Sequence, residues 1–199
     1  VYRIPIINKY PIFTLRYTAG VKGLFNSEYN YQNINLRVEK RVFMSQLGYS
    51  DMVLEGGYTF GSAPYPLLTI HRANQTYAYQ LNSYNLMNFQ EFVSDQFAAL
   101  SIDHHFNGLI FNRIPLLRKL KLRELLTMKV IYGGIRDENN PDKNPDLIKF
   151  PELNGQTTTF SLNRKPYIEG SVGVGNIFKI FRVDLVRRFN YKENPNIST

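Results

Sequence analysis

The chain has 199 residues, with no Cys, no Trp, 14 Tyr and 14 Phe, enough for one domain or two small ones. The lack of Cys excludes a disulfide scaffold, a thiol nucleophile and a Cys-ligated zinc or iron–sulfur site. The absence of any run near the roughly 18 apolar residues of a spanning helix excludes a helical membrane protein, but not a spanning β-barrel, whose strands alternate. The formal net charge is +8. Its basic residues are scattered among acids except at Arg118, Lys119, Lys121 and Arg123, which argues against nucleic acid as a partner.

Period-two alternation, the mark of a strand between two different solvents, recurs along the chain. At 12–22, Phe13, Leu15, Tyr17, Ala19 and Val21 oppose Thr14, Arg16, Thr18 and Lys22. At 29–43, Ile34, Leu36, Val38 and Val42 oppose Asn33, Asn35, Arg37, Glu39 and Arg41. At 49–60, Met52, Leu54, Gly56, Tyr58 and Phe60 oppose Asp51, Glu55, Gly57 and Thr59. A weaker pattern at 93–107 sets Leu100, Ile102 and Phe106 against Ser101, Asp103, His105 and Asn107. Further strands are predicted at 124–134, 166–175 and 181–191. In the last, Phe181, Val183, Leu185 and Phe189 oppose Arg182, Asp184 and Arg188.

Seven strands of about ten residues exceed the usual five or six of soluble sheets and match the 9–11 that cross a bilayer. Aromatics gather near the strand ends, as in interfacial girdles. The expected fold is therefore all-β: a transmembrane antiparallel outer-membrane β-barrel, of which 1–199 is the C-terminal portion. A soluble β-sandwich alternates too, but with shorter strands. Short connections at 44–48, 109–122 and 176–180 alternate with long polar ones at 61–92, 137–165 and 192–199, so the two rims differ. Outer-membrane barrels keep long loops outside the cell, which makes 61–92 and 137–165 extracellular. An echo between 3–7 and 113–117 puts both segments at the periplasmic rim. Seven is an odd count, whereas bacterial single-chain barrels have an even one, so at least one further strand is expected.

Several stretches carry a family resemblance: Pro64-Tyr65-Pro66-Leu67-Leu68, His71 through Tyr77, Asn85-Leu86-Met87-Asn88 followed by Glu91-Phe92-Val93-Ser94-Asp95, and His105-Phe106-Asn107-Gly108 leading into Ile114-Pro115-Leu116-Leu117. Gly175-Asn176-Ile177-Phe178 with Arg182-Val183-Asp184 completes the set. Together they resemble an uncharacterised family of Bacteroidota outer-membrane proteins. These carry an N-terminal carboxypeptidase-regulatory-like domain before a BamA/surface-antigen-type β-barrel. The resemblance implies a sixteen-stranded barrel, of which this chain supplies about seven strands without the last. It also implies a role in protein assembly, translocation or surface display within a membrane complex. The alternatives are a transport or structural barrel subunit without insertase activity and, further off, a barrel-wall hydrolase. In such barrels the loop corresponding to 61–92 folds into the lumen. The BamA family's usual Val-Arg-Gly-aromatic loop motif is absent.

The candidate site residues follow from these readings. The lumen loop presents Tyr65, Arg72, Asn74, Gln75, Asn85 and Asn88, whose amides could satisfy a polar lumen. The lumen charges Arg37, Glu39, Asp51, Glu55, Lys129, Arg182, Asp184 and Arg188 are of mixed sign. That suits an internal ion-pair network or a plugged lumen better than a selective pore. Asp103 and His105 share a face and form the one enzyme-like pair. No serine nucleophile with an oxyanion hole accompanies them, so no enzyme is expected. A metal set of His71, Asp103 and His105 requires the loop to fold inward, and no metal or other cofactor is expected. Gly170, Gly173 and Gly175 fit close packing rather than a phosphate loop, because no helix with Lys-Ser/Thr follows. The basic stretch 113–123 reads as a rim turn with snorkelling cations. The expected partners are membrane lipid and other outer-membrane or periplasmic proteins, and the expected location is the bacterial outer membrane.

Overall fold

A computed structural model describes residues 9–162 and 165–194. The echo segment at 3–7 lies outside the described residues. Seven strands form one antiparallel sheet: β1 (Ile12–Gly20), β2 (Tyr31–Phe43), β3 (Tyr49–Phe60), β4 (Gln96–His105), β5 (Arg123–Gly134), β6 (Tyr167–Ile177) and β7 (Phe181–Arg188). Each strand pairs with the one before it in the chain, a pure meander. The all-β, antiparallel expectation holds. The sheet is open among the described residues, because β1 pairs only with β2 and β7 only with β6.

The alternation seen in sequence becomes two unlike faces. On one, Phe13, Leu15, Leu36, Leu54, Leu126, Val172, Val183 and Leu185 are exposed, several by more than 60 %. On the other lie Asn33, Thr59, Asp103, Thr127, Lys129, Glu169 and Arg188, all buried. This inverts the usual arrangement in water. What buries the polar face is the chain's own long connections. Met87, Phe92, Ala99, Ile131, Leu162 and Tyr167 form one core cluster, and Ala63, Leu68 and Val93 another. The core thus lies between the polar sheet face and segments 61–95 and 135–166, not between two sheets.

The three connections between β2 and β3, β4 and β5, and β6 and β7 lie at one end of the strands. The long ones lie at the other. In the β2–β3 turn, Gly48 has a φ of +92° and its backbone lies against the His105 carbonyl, a conformation open to glycine. The β4–β5 connection is longer and holds a short helix, α1 (Pro115–Leu120), that ends on Lys121 in the left-handed region. The segment read as a rim turn is therefore partly helical. Pro115 fixes the start of α1. Glu124 ties the connection down, accepting from the Ile110 and Phe111 backbone N–H groups.

Candidate functional site

Strand register sets charges in rows across the polar face. Arg37 lies opposite Glu55, and Arg41 opposite Asp51. Asp51 lies opposite Asp103, and Asp103 opposite Thr127. Two carboxylates face to face repel, and arginines from both sides neutralise them. Arg41 Nε and Nη2 each reach Asp51 at 2.6 Å. Arg182 donates to Asp103 at 3.0 Å and to Asp184 at 2.7 Å. Arg37 pairs with both Glu39 and Glu55. Gly173 and Gly175 leave room here, since a Cβ on Gly173 would crowd the Asp184 carboxylate and one on Gly175 would press on Leu125.

Asp103 and His105 do meet, with Nε2 and Oδ2 2.7 Å apart. The carboxylate is already shared, however, because Thr127 donates to it at 2.6 Å and Arg182 from a third side. The His105 ring stacks on Tyr49 at 4.5 Å. Chemically the pair is one corner of a network of ion pairs and hydrogen bonds that occupies the carboxylate. Thr127, the hydroxyl in contact, has its proton directed to Asp103. His104 points the other way and bonds Ser50 Oγ at 2.7 Å. His71, Asp103 and His105 do not come together, and no cluster of three metal-ligating side chains occurs among the described residues.

The second half of the site is the 61–92 segment, packed across this face. Pro64 opens it in extended backbone, and Tyr65 packs beside Ala63, Leu68 and Val93, edge-on to Phe150. Arg72 reaches Glu55 at 2.7 Å. Asn74 folds the tip on itself, donating to Ala78 O and Asn85 Oδ1, while Gln75 donates to the Asn74 carbonyl at 3.3 Å. The Glu169 carboxylate of β6 receives the backbone N–H of Asn85 at 2.9 Å and of Leu86 at 2.8 Å. Lys129 donates to the carbonyls of Gln80 and Ser83 and lies under the Tyr79 ring. Asn88 gives its backbone N–H to Glu91.

Residues that the sequence reading assigned no role hold the base of the segment. Glu91, 1 % exposed, forms a two-bond pair with Arg188 at 2.6 and 2.9 Å. Asp95, fully buried, binds Arg136 and Asn139. Arg136 also reaches Thr59 O. The only signal for these was their place in the Glu91–Asp95 motif, since no alternation applies in a loop. His71, buried, bonds Ser94 Oγ at 3.0 Å and meets the Phe97 ring edge-on. Burial pushes its imidazole down to about 4, against the pull of Glu55, with Arg72 adding to the fall. Burial likewise raises the Tyr84 hydroxyl.

A family model described as the C-terminal domain of a family of unknown function (DUF5686) matches residues 2–140, a span that takes in β1 to β5. No curated protein and no solved structure matches the chain.

Proposed function

The chain belongs to the DUF5686 C-terminal domain family, and we propose that it forms seven strands of a BamA-like β-barrel in the bacterial outer membrane. In this reading the 61–92 segment plugs the lumen. The barrel works with other envelope proteins in the assembly, translocation or surface display of outer-membrane proteins. The observation that carries the reading is the inverted sheet: large apolar side chains exposed on six of its seven strands, with most of the charged side chains buried or half-buried on the opposite face. Soluble monomers rarely expose a contiguous apolar patch above a few hundred Å², and leaving a Leu-sized side chain in water forfeits about 1.5–3 kcal/mol. A bilayer removes that cost. The lengths agree, since most of these strands reach or approach the 9–11 residues that cross the hydrocarbon core at a tilt.

The paired charges and the docked segment favour a closed lumen over a conducting one, and the motif resemblance supplies the assembly role. The second reading, a structural barrel without insertase activity, draws on the anchoring itself. The Glu91–Arg188 pair and the two N–H bonds to Glu169 fasten the segment at base and tip. Affinity purification of the full-length protein from detergent-extracted outer membranes separates the two. Stoichiometric recovery with barrel-assembly or secretion components is expected. Recovery alone, with no change in outer-membrane protein content on depletion, contradicts the assembly role.

A further inference from the structure

The end of the sheet that carries the three short connections differs in charge from the other end. Residues 44–48, 106–122 and 178–180 contain Arg113, Arg118, Lys119, Lys121 and Lys179 but no Asp or Glu. All five cations are exposed, and none forms an ion pair among the described residues. The long connections at the opposite end mix both signs: 135–166 alone holds five acids and five bases. Large apolar side chains stand among the cations. Leu116 and Leu120, one turn apart on α1, are 72 % and 58 % exposed, and Phe178 and Ile180 are 85 % and 78 % exposed.

Exposed Leu, Ile and Phe interleaved with Lys and Arg is the composition of a segment lying in a membrane interface, apolar groups in the acyl region and cations at the phosphates. We infer that this edge binds the headgroups of anionic phospholipids in the leaflet where the short turns emerge. The inference rests on the membrane-spanning reading. It goes further by assigning the net positive charge to one rim and giving that rim a ligand. Charge complementarity selects an anionic lipid over a zwitterionic one. The apolar residues select a bilayer surface over a dissolved anion, because a free phosphate leaves them in water.

The test uses the full-length protein reconstituted in phosphatidylcholine vesicles with or without one-fifth phosphatidylglycerol. Flotation after a urea wash reports insertion. Native mass spectrometry of the detergent-released protein reports which lipids stay bound. Wild type is expected to float with both compositions and to retain phosphatidylglycerol preferentially. The combined variant Arg118→Gln, Lys119→Gln, Lys121→Gln should float equally and lose that preference by about tenfold or more. Lys179→Gln alone should lower it less, and remains informative if the triple variant does not fold. Equal retention of the two lipids by inserted wild type, or an unchanged preference in an inserted triple variant, overturns the inference and leaves the spanning reading intact. So does a protein partner that occupies this edge and excludes phosphatidylglycerol. Failure of wild type to float removes the spanning reading and the inference with it.

Discussion

At the scale of single residues, the docked segment depends on a few buried polar groups, among them His71 and Glu169. His71 is neutral in the folded chain, with its imidazole pushed down to about 4 by burial from an unfolded value near 6.5. The unfolded state therefore binds the extra proton first as pH falls. The contribution of His71 is fully present above about pH 6.5 and is lost between there and about pH 4, by about 3 kcal/mol at the end. Protease sensitivity of 61–92 in the full-length protein should rise over that window, and His71→Gln should flatten the dependence. Glu169 acts at the tip, where it accepts from Asn85, Leu86 and Tyr167. Glu169→Gln weakens charge-assisted bonds from a buried carboxylate and should cost about 1–3 kcal/mol, read as faster cleavage near Tyr77 with the sheet unfolding temperature less affected. The charges on strands were legible before the structure, because alternation assigns each strand position to a face. Glu91 and Asp95 were not, because their partners Arg188 and Arg136 lie 97 and 41 positions away and no local pattern reports such distances.

At the scale of elements, the existence and order of the seven strands were legible and several of their ends were not. The expected strand at 93–107 begins at Gln96, since Val93–Ser94 leaves the sheet to pair with Thr69–Ile70. The strand at 181–191 stops at Arg188, where its guanidinium bonds the carbonyls of Asn190 and Tyr191 and Tyr191 takes a positive φ. The strand at 166–175 runs on to Ile177 through a register shift after Val174. In the first two cases tertiary contacts override a pattern that would have continued, and in the third the strand outruns its pattern. Among the turns, Gly48 carries the greatest constraint. Gly48→Ala puts a Cβ into the His105 carbonyl at a φ that L-residues rarely adopt, and should cost at least about 2 kcal/mol. The check is the thermal unfolding midpoint in detergent, against Gly23→Ala, whose site has a similar φ but open space.

At the scale of the whole molecule, the proposed barrel has lipid on one face of the sheet and the chain's own polar segment on the other. The apolar face was legible from period two alone. The mixed charges of the polar face pointed to its being filled, but which groups would anchor the 61–92 segment there was not legible, because Glu91–Arg188 and Asn85–Glu169 join residues 97 and 84 positions apart. A closed lumen predicts low conductance for the full-length protein in a planar bilayer, and deletion of 72–88 should raise it if the remaining barrel stays closed.

The most direct test of the central claim uses the absence of Cys in this chain. Single cysteines at Leu36, Leu54 and Leu185, and at their neighbours Asn35, Glu55 and Asp184, can each carry a spin label in the full-length protein embedded in a bilayer. The account predicts high collision rates with oxygen and low rates with a water-soluble nickel chelate at the three leucine positions, and low oxygen collision at the three polar ones. Leucine positions that meet the nickel chelate as freely as an exposed loop does would place the apolar face in water and contradict the barrel.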